Sequence, residues 1–343
     1  MASSDNNNII IRTVLIMRFS SLADVAMTIP IVYPMCRANE QIRFIYATQG
    51  EPATIFANRP ANLTVLGIDT DKYKGFFGAR KLAANLQHRY GFDAVVDLQD
   101  TKYTRRIMSR LKGESVATAV ISTPTKKEPE PVNIHERYKR AFKQLLLKTG
   151  DDFYNFGDFG DTLTSPLVPA KGDGEKWIGI APFAEQQCKE YPLEQMRLVI
   201  AELSQWPGCH LFLFGSNDHR EDLDAIMRRY SNVISMTQFK HSFADELALM
   251  SHCNVMLTMD SAYMHLASLV EAPVVSVWGA TDPSCGYMGW HQALRDTVQL
   301  ELDCRPCSAD GSRKCRYGDC HCMRDISPEL IINKVKKVLE RND

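Results

Sequence analysis

The chain has 343 residues, 45% hydrophobic and 24% charged, with 40 Lys and Arg against 41 Asp and Glu for a net charge of −1. That balance is ordinary for a soluble globular protein and lacks the basic excess that marks nucleic-acid binding, so no nucleic-acid partner is expected. Residues 1–8, MASSDNNN, have neither the basic nor the apolar region of a signal peptide, and no run of roughly 18 apolar residues follows, so the expected location is cytoplasmic.

From Thr13 the chain alternates short apolar runs with longer helical patterns. Strands are predicted at 13–17, 42–46, 63–66, 94–98 and 116–120, with helices near 22–37, 76–90, 101–111 and 133–149. A second series has strands at 177–181, 210–214, 233–235, 255–257 and 274–277, with helices near 193–205, 219–230, 243–251 and 261–270, and a last helix from Ser327 to about Leu339. This is the appearance of βαβ units, so the fold class is α/β with two similar, mostly parallel halves. Residues 151–175, rich in Asp, Gly and Pro, suit a linker, and the domains are placed at 1–160 and 161–343. A cleft between the halves is the expected site.

Three junctions carry candidate chemistry. After the first strand, Ser20, Ser21 and Asp24 suit either helix capping, with Ser21 as N-cap and Asp24 as the N3 carboxylate, or a general base at Asp24. In the second half, strand 177–181 leads to Lys189, just before a Pro-started helix, where a cation beside backbone N–H groups suits a diphosphate. The strand at 255–257 breaks into Asp260-Ser261-Ala262 and resumes as a helix, so free N–H groups and the positive end of the helix dipole favour an anion there. Strand 274–277 ends in a Gly/Pro-broken loop, Trp278 to Pro283, on the same edge of the sheet.

The segments RFSSLADVAMTIP, APFAEQQCKEYP, FGSNDHRED and MDSAYMHLASLVEAPVVSVWGATDP, in this order, resemble the signature of glycosyltransferase family 9, the heptosyltransferases of lipopolysaccharide core synthesis. The resemblance runs from Thr13 to about Ile326. It implies a GT-B arrangement of two facing Rossmann-like domains, with the acceptor on the first, the nucleotide sugar on the second and a C-terminal helix packing back on the first. It further implies inverting, metal-independent transfer of heptose from an ADP-activated donor to a phosphorylated glycolipid, with transient contact at the inner-membrane surface.

By the matching motifs Asp24 is the base and Lys189 the diphosphate lysine. Donor binding falls to Ser20, Ser21, Ala184, Glu185, Asn217, Asp260, Ser261, Ala262 and His265, the last of which also suits a buried core histidine. Ala262 stands where the family usually has glycine, Ala23 replaces the glycine before Asp24, and Cys188 precedes Lys189 in place of the more familiar pattern. These departures bear on donor identity. A transferase of the same fold using another nucleotide sugar, or a homologue that binds without catalysis, are the alternatives.

Asp69-Thr70-Asp71 is a metal-site triplet in form, but it lies in a short polar loop and reads as a turn. Lys102, Arg105, Arg106 and Arg110 fall largely on one helix face. Such a face is usually solvated; with the acceptor implied by the family, Lys102, Arg105 and Arg106 are candidates for its anionic groups or the membrane surface. Cys304, Cys307, Cys315, Cys320 and Cys322 crowd the tail. Cys304, Cys307, Cys315 and Cys322 have spacings compatible with a structural zinc, with paired or free thiols as the other reading, and no cofactor is expected for catalysis.

Overall fold

The computed structural model describes residues 10–112, 116–122, 132–159 and 162–341, so the polar stretch 1–8 lies outside them. The chain divides into two compact units, Met1–Phe153 and Tyr154–Asp343.

The first unit holds one five-stranded sheet, built from β1 (Thr13–Met17), β2 (Arg43–Gln49), β3 (Leu63–Ile68), β4 (Ala94–Asp97) and β5 (Ala117–Val120), in the order β3-β2-β1-β4-β5. Every pairing is parallel. Val14, Leu15, Ile16 and Met17 of the central strand are fully buried, as expected of a parallel strand covered on both faces. The crossovers are α1 (Leu22–Ala38), α2 (Gly75–Tyr90) and α3 (Lys102–Lys112), followed by α4 (Ile134–Lys143). The last of these stops six residues short of the expected 149, because the chain turns at Leu146, where φ is +58°.

The second unit holds a six-stranded parallel sheet. Its strands are β6 (Lys176–Ala181), β7 (Cys209–Leu213), β8 (Val233–Ser235), β9 (Val255–Met259), β10 (Val274–Val277) and β11 (Thr297–Val298), in the order β11-β10-β9-β6-β7-β8. The edge pair β11 is a strand that periodicity had not signalled. Helices α5 (Leu193–Leu203), α6 (Arg220–Met227), α7 (Phe243–Met250) and α8 (Ala262–Ser268) connect the strands, and α9 (His321–Arg324) and α10 (Pro328–Arg341) follow.

The last helix, expected to pack back on the first unit, has its apolar face in the core of the second. Ile331, Val335, Val338 and Leu339 of α10 join one core with Ile178, Met196, Leu257 and Val275 of the second unit. Arg341 forks onto Asp296 at 3.0 and 2.6 Å, just ahead of β11. The apolar stripe is satisfied there, each buried side chain contributing roughly 1.5–3 kcal/mol.

Both sheets have a point where strand order reverses, β1/β4 in the first and β6/β9 in the second. At such a point the loops leaving the carboxyl ends of neighbouring strands diverge and open a crevice. Asp24 follows β1, Lys189 follows β6 and Asp260 follows β9.

Candidate active site

In the first unit the β1–α1 turn is fixed by a capping box. Ser21 is the N-cap; its backbone N–H and its hydroxyl each donate to Asp24 Oδ2 at 3.0 Å, and Asp24 N–H returns a long bond to Ser21 Oγ at 3.5 Å. Arg18 completes the grip, with Nη2 2.5 Å from the same Oδ2 and Nη1 donating to Leu98 O at 2.6 Å. The Arg18 guanidinium is buried, which works against its charge, but neighbouring Tyr138 and Asp24 more than offset this and hold it firmly protonated. All three contacts converge on Oδ2, and no described residue bonds Oδ1. Capping and a chemical role are therefore compatible in one carboxylate, one oxygen serving each.

A cavity of about 270 Å³ opens beside this turn, lined by Phe19, Ser20 and Gln99 among others. Gln99 Nε2 donates to Ser20 Oγ at 3.2 Å and Phe19 N–H donates to Gln99 Oε1 at 2.8 Å, joining the loops after β1 and β4. Ser20, assigned to donor binding by motif, thus lines a cavity of the first unit. The α3 cations lie outside its lining. Arg105 forks onto Asp100 at 2.7 and 2.8 Å, Arg106 lies over the Phe76 ring, and Lys102 is exposed. Thr101 and Tyr103 of the same segment face the cavity instead.

The Asp-Thr-Asp triplet folds as a turn. Asp69 caps it by accepting from Asp71 N–H at 3.2 Å, Lys72 pairs with Asp69 at 3.1 Å and Lys74 with Asp71 at 3.0 Å. The hydrogen bond from Lys72 holds the Asp69 carboxyl below its usual range.

In the second unit Lys189 and Asp260 meet, Nζ to Oδ2 at 2.9 Å, and Thr281 donates to that oxygen at 2.6 Å. Asp260 is 6% exposed. Ser261 is the N-cap of α8, yet its hydroxyl pairs with Thr258 Oγ1 at 3.1 Å and makes no cap bond, so its side chain does not occupy the first-turn amides of Ala262 and its neighbours. His265 is buried within α8. Ala184 N–H donates to Glu190 Oε2 at 3.0 Å, while Glu185 and Asn217 are exposed.

Two features here escaped the sequence reading. Phe183 stacks on His219 with centroids 3.7 Å apart, bridging the loops after β6 and β7. Arg305, 3% exposed, donates to the carbonyl oxygens of Gly279, Thr281 and Leu300, and so holds the loop after β10 against the tail. A buried arginine surrounded by carbonyls is a tertiary arrangement without a local pattern.

The cysteine-rich tail folds onto the Lys189 loop, but not as the expected quartet. Cys188 and Cys320 are disulfide-bonded, and their sulfurs lie with that of Cys315 within 4.8 Å of one another. Of the four expected zinc ligands only Cys315 belongs to this group. Cys304 meets His321 Nε2 at 3.7 Å, and Cys322 turns into the second core, where burial pushes its thiol up to about 11. The four cysteines expected as zinc ligands are therefore not gathered into one set among the described residues. Backbone bonds stitch tail to site: Ala280 N–H donates to Cys188 O at 2.9 Å and Cys307 N–H to Ala280 O at 2.7 Å.

Two Rossmann-like units, each with a parallel sheet and a switch point, are the architecture of the GT-B fold. The family model described as glycosyltransferase family 9 (heptosyltransferase) matches residues 122–320, and the chain belongs to this family. A Campylobacter jejuni subsp. jejuni serotype O:2 protein, lipooligosaccharide heptosyltransferase 2, is 23% identical over 333 residues, covering 94% of this chain and 96% of its own. Among solved structures, Escherichia coli heptosyltransferase WaaC with ADP superposes with a TM-score of 0.68 at 19% identity, covering 96% of this chain and 100% of that one. The family 9 glycosyl transferase of Veillonella parvula gives 0.69 at 17% identity, covering 96% and 97%. Among the described residues no helix is long and apolar enough to cross a membrane.

Proposed function

We propose that this glycosyltransferase moves a heptose from an ADP-type nucleotide sugar to a phosphorylated glycolipid of the lipopolysaccharide core, with inversion and without a metal. The Campylobacter jejuni relative and the Escherichia coli structure carry heptosyltransferase names, and the latter is a complex with ADP, which supports the donor class. The observation that carries the mechanism is the division of labour on Asp24. With Oδ2 held by Arg18 and Ser21, Oδ1 is available to take the proton of the acceptor hydroxyl.

Cleavage of the bond from the anomeric carbon to the diphosphate puts growing negative charge on the leaving group while the sugar becomes oxocarbenium-like. Lys189 and the first-turn amides of α8 are assigned to that charge, preorganised by Asp260 and Thr281. Attack on the face opposite the diphosphate inverts the centre. The cavity beside Ser20 and Gln99 is assigned to the acceptor. In this reading the acceptor stands at a membrane surface, which the enzyme touches transiently.

A thermal-shift screen with ADP-, GDP- and UDP-heptose and their sugar analogues tests the donor, since a ligand that binds only the native state raises stability by mass action. Stabilisation by the ADP compounds alone is expected. Preference for a different base would retain the class of reaction and overturn the donor.

A further inference from the structure

The corner that starts α2 presents two adjacent aromatic side chains to solvent. Phe76 and Phe77 are 50% and 83% exposed and pack edge to face with centroids 5.4 Å apart. The corner holds them there. Gly75 turns the chain at φ +74°, and Gly78 fits only for want of a Cβ, which would lie 2.3 Å from the carbonyl carbon and oxygen of Tyr73. Contiguous exposed apolar side chains are a feature of interaction surfaces.

The charges around them indicate what they meet. Arg80 and Arg106 stand over the Phe76 ring at 5.5 and 5.8 Å, and Lys81 and Lys102 are exposed on α2 and α3. The nearby carboxylates are already engaged: Asp69 by Lys72, Asp71 by Lys74 and Asp100 by Arg105. Arg80, Lys81, Lys102 and Arg106 have no ion-pair partner among the described residues. Aromatic tips ringed by unanswered cations match the chemistry of an anionic bilayer surface, where rings enter the headgroup layer and cations meet phosphate. The surface also adjoins the cavity, since Lys74 and Gly75, the residues just before Phe76, line it.

We propose that Phe76 and Phe77 dip into an anionic phospholipid bilayer, with Arg80, Lys81, Lys102 and Arg106 on the headgroup phosphates. The cavity of the first unit then opens at the height where the sugars of a membrane-borne acceptor stand. This rests on reading the acceptor as a glycolipid. It also gives the basic face of α3 an occupant: the bilayer takes the cations that the cavity does not.

The test is co-sedimentation of the full chain with acceptor-free vesicles of phosphatidylcholine alone or mixed with phosphatidylglycerol. The protein should sediment with the mixed vesicles at low salt, not with phosphatidylcholine alone, and release as salt approaches roughly 0.5 M. Phe77→Ser should lower partitioning by about tenfold, the lower end for withholding one large apolar side chain. Arg106→Gln should lower it about fivefold, as for one cation near an anionic surface. With Tm unchanged, Phe77→Ser should retain turnover on a deacylated, water-soluble acceptor and lose it on the same acceptor in vesicles.

Wild-type protein that ignores anionic vesicles, or a Phe77→Ser variant that sediments equally well, overturns the proposal. So does self-association abolished by Phe77→Ser, which assigns the patch to a second copy. If the vesicle results hold while no glycolipid is glycosylated, the surface stands and the acceptor reading falls.

Discussion

Lys189 and Asp260 are joined by an ion pair of 2.9 Å, and the oxygen of Asp260 that makes it also receives the Thr281 hydroxyl at 2.6 Å. One carboxylate thereby ties the loops after β6, β9 and β10. The side chains of the pair are 15% and 5% exposed, so each partner depends on the other for its solvation. Such a pair adds little net stability over an apolar replacement, but loss of one member strands the other.

Lys189→Ala is therefore expected to lose function and stability together. The stranded Asp260 should cost on the order of 3 kcal/mol, and kcat/KM should fall by about two orders of magnitude or more. Adding Asp260→Asn to Lys189→Ala should recover much of the Tm and none of the turnover. Chemical denaturation and steady-state kinetics on the three variants separate these effects. A folded, fully active Lys189→Ala variant would sink the assignment of the diphosphate to this loop.

Asp24→Asn should lower transfer by about two to four orders of magnitude, the usual range for a general base, while nucleotide affinity changes by less than about twofold. Asparagine retains an oxygen for the Ser21 donors, so folding should survive. Arg18→Met should reduce turnover less than Asp24→Asn does. Normal kinetics for Asp24→Asn, with calorimetry showing intact nucleotide binding, remove the residue from the mechanism.

Turnover in a short assay should be indifferent to a strong chelator. Asp69 and Asp71 already hold Lys72 and Lys74 and are built into a turn. Activity lost to chelation and restored specifically by magnesium or manganese would bring them back as metal ligands.

The pair His241 and Glu246 gives stability a pH dependence. His241 Nε2 lies 2.8 Å from Glu246 Oε1, and this hydrogen bond raises the imidazole above its usual 6.5. Burial raises the Glu246 carboxyl above 4.5. Both groups bind protons more tightly in the folded state, so stability falls as pH rises. The His241 contribution is complete below about 6.5 and lost through the raised folded value, while that of Glu246 fades from about 4.5 upward. Tm should be lower at about pH 8.5 than at about pH 6, and His241→Gln should shrink the difference. A variant with an unchanged Tm difference contradicts this account.

Much of this is legible in the amino-acid sequence, for identifiable reasons. Val14 to Met17 and Val255 to Leu257 announce central strands because a strand covered on both faces has no polar side to alternate with. The capping box at Ser21 and Asp24 is a local pattern, and local patterns survive folding. What stayed hidden depends on partners far along the chain. The stripe on α10 shows that the helix is buried without saying on which sheet. The spacing of Lys102, Arg105 and Arg106 gives a face, but not that Asp100 would hold Arg105. Arg18 reads as one more charge after a strand until Asp24 and the Leu98 carbonyl surround it. Cysteine spacing left zinc, paired thiols and free thiols open, since the partner of Cys320 is Cys188, 132 positions away.

The place of α10 sets an order of events during synthesis. The first unit ends at Phe153, so everything its core requires has left the ribosome while the second is still being made. The second unit keeps an open apolar surface over β9 and β10 until Leu339 emerges and α10 docks. A nascent chain stalled before residue 328 would therefore display a finished first unit joined to an exposed sheet, the species on which holdase chaperones and proteases act.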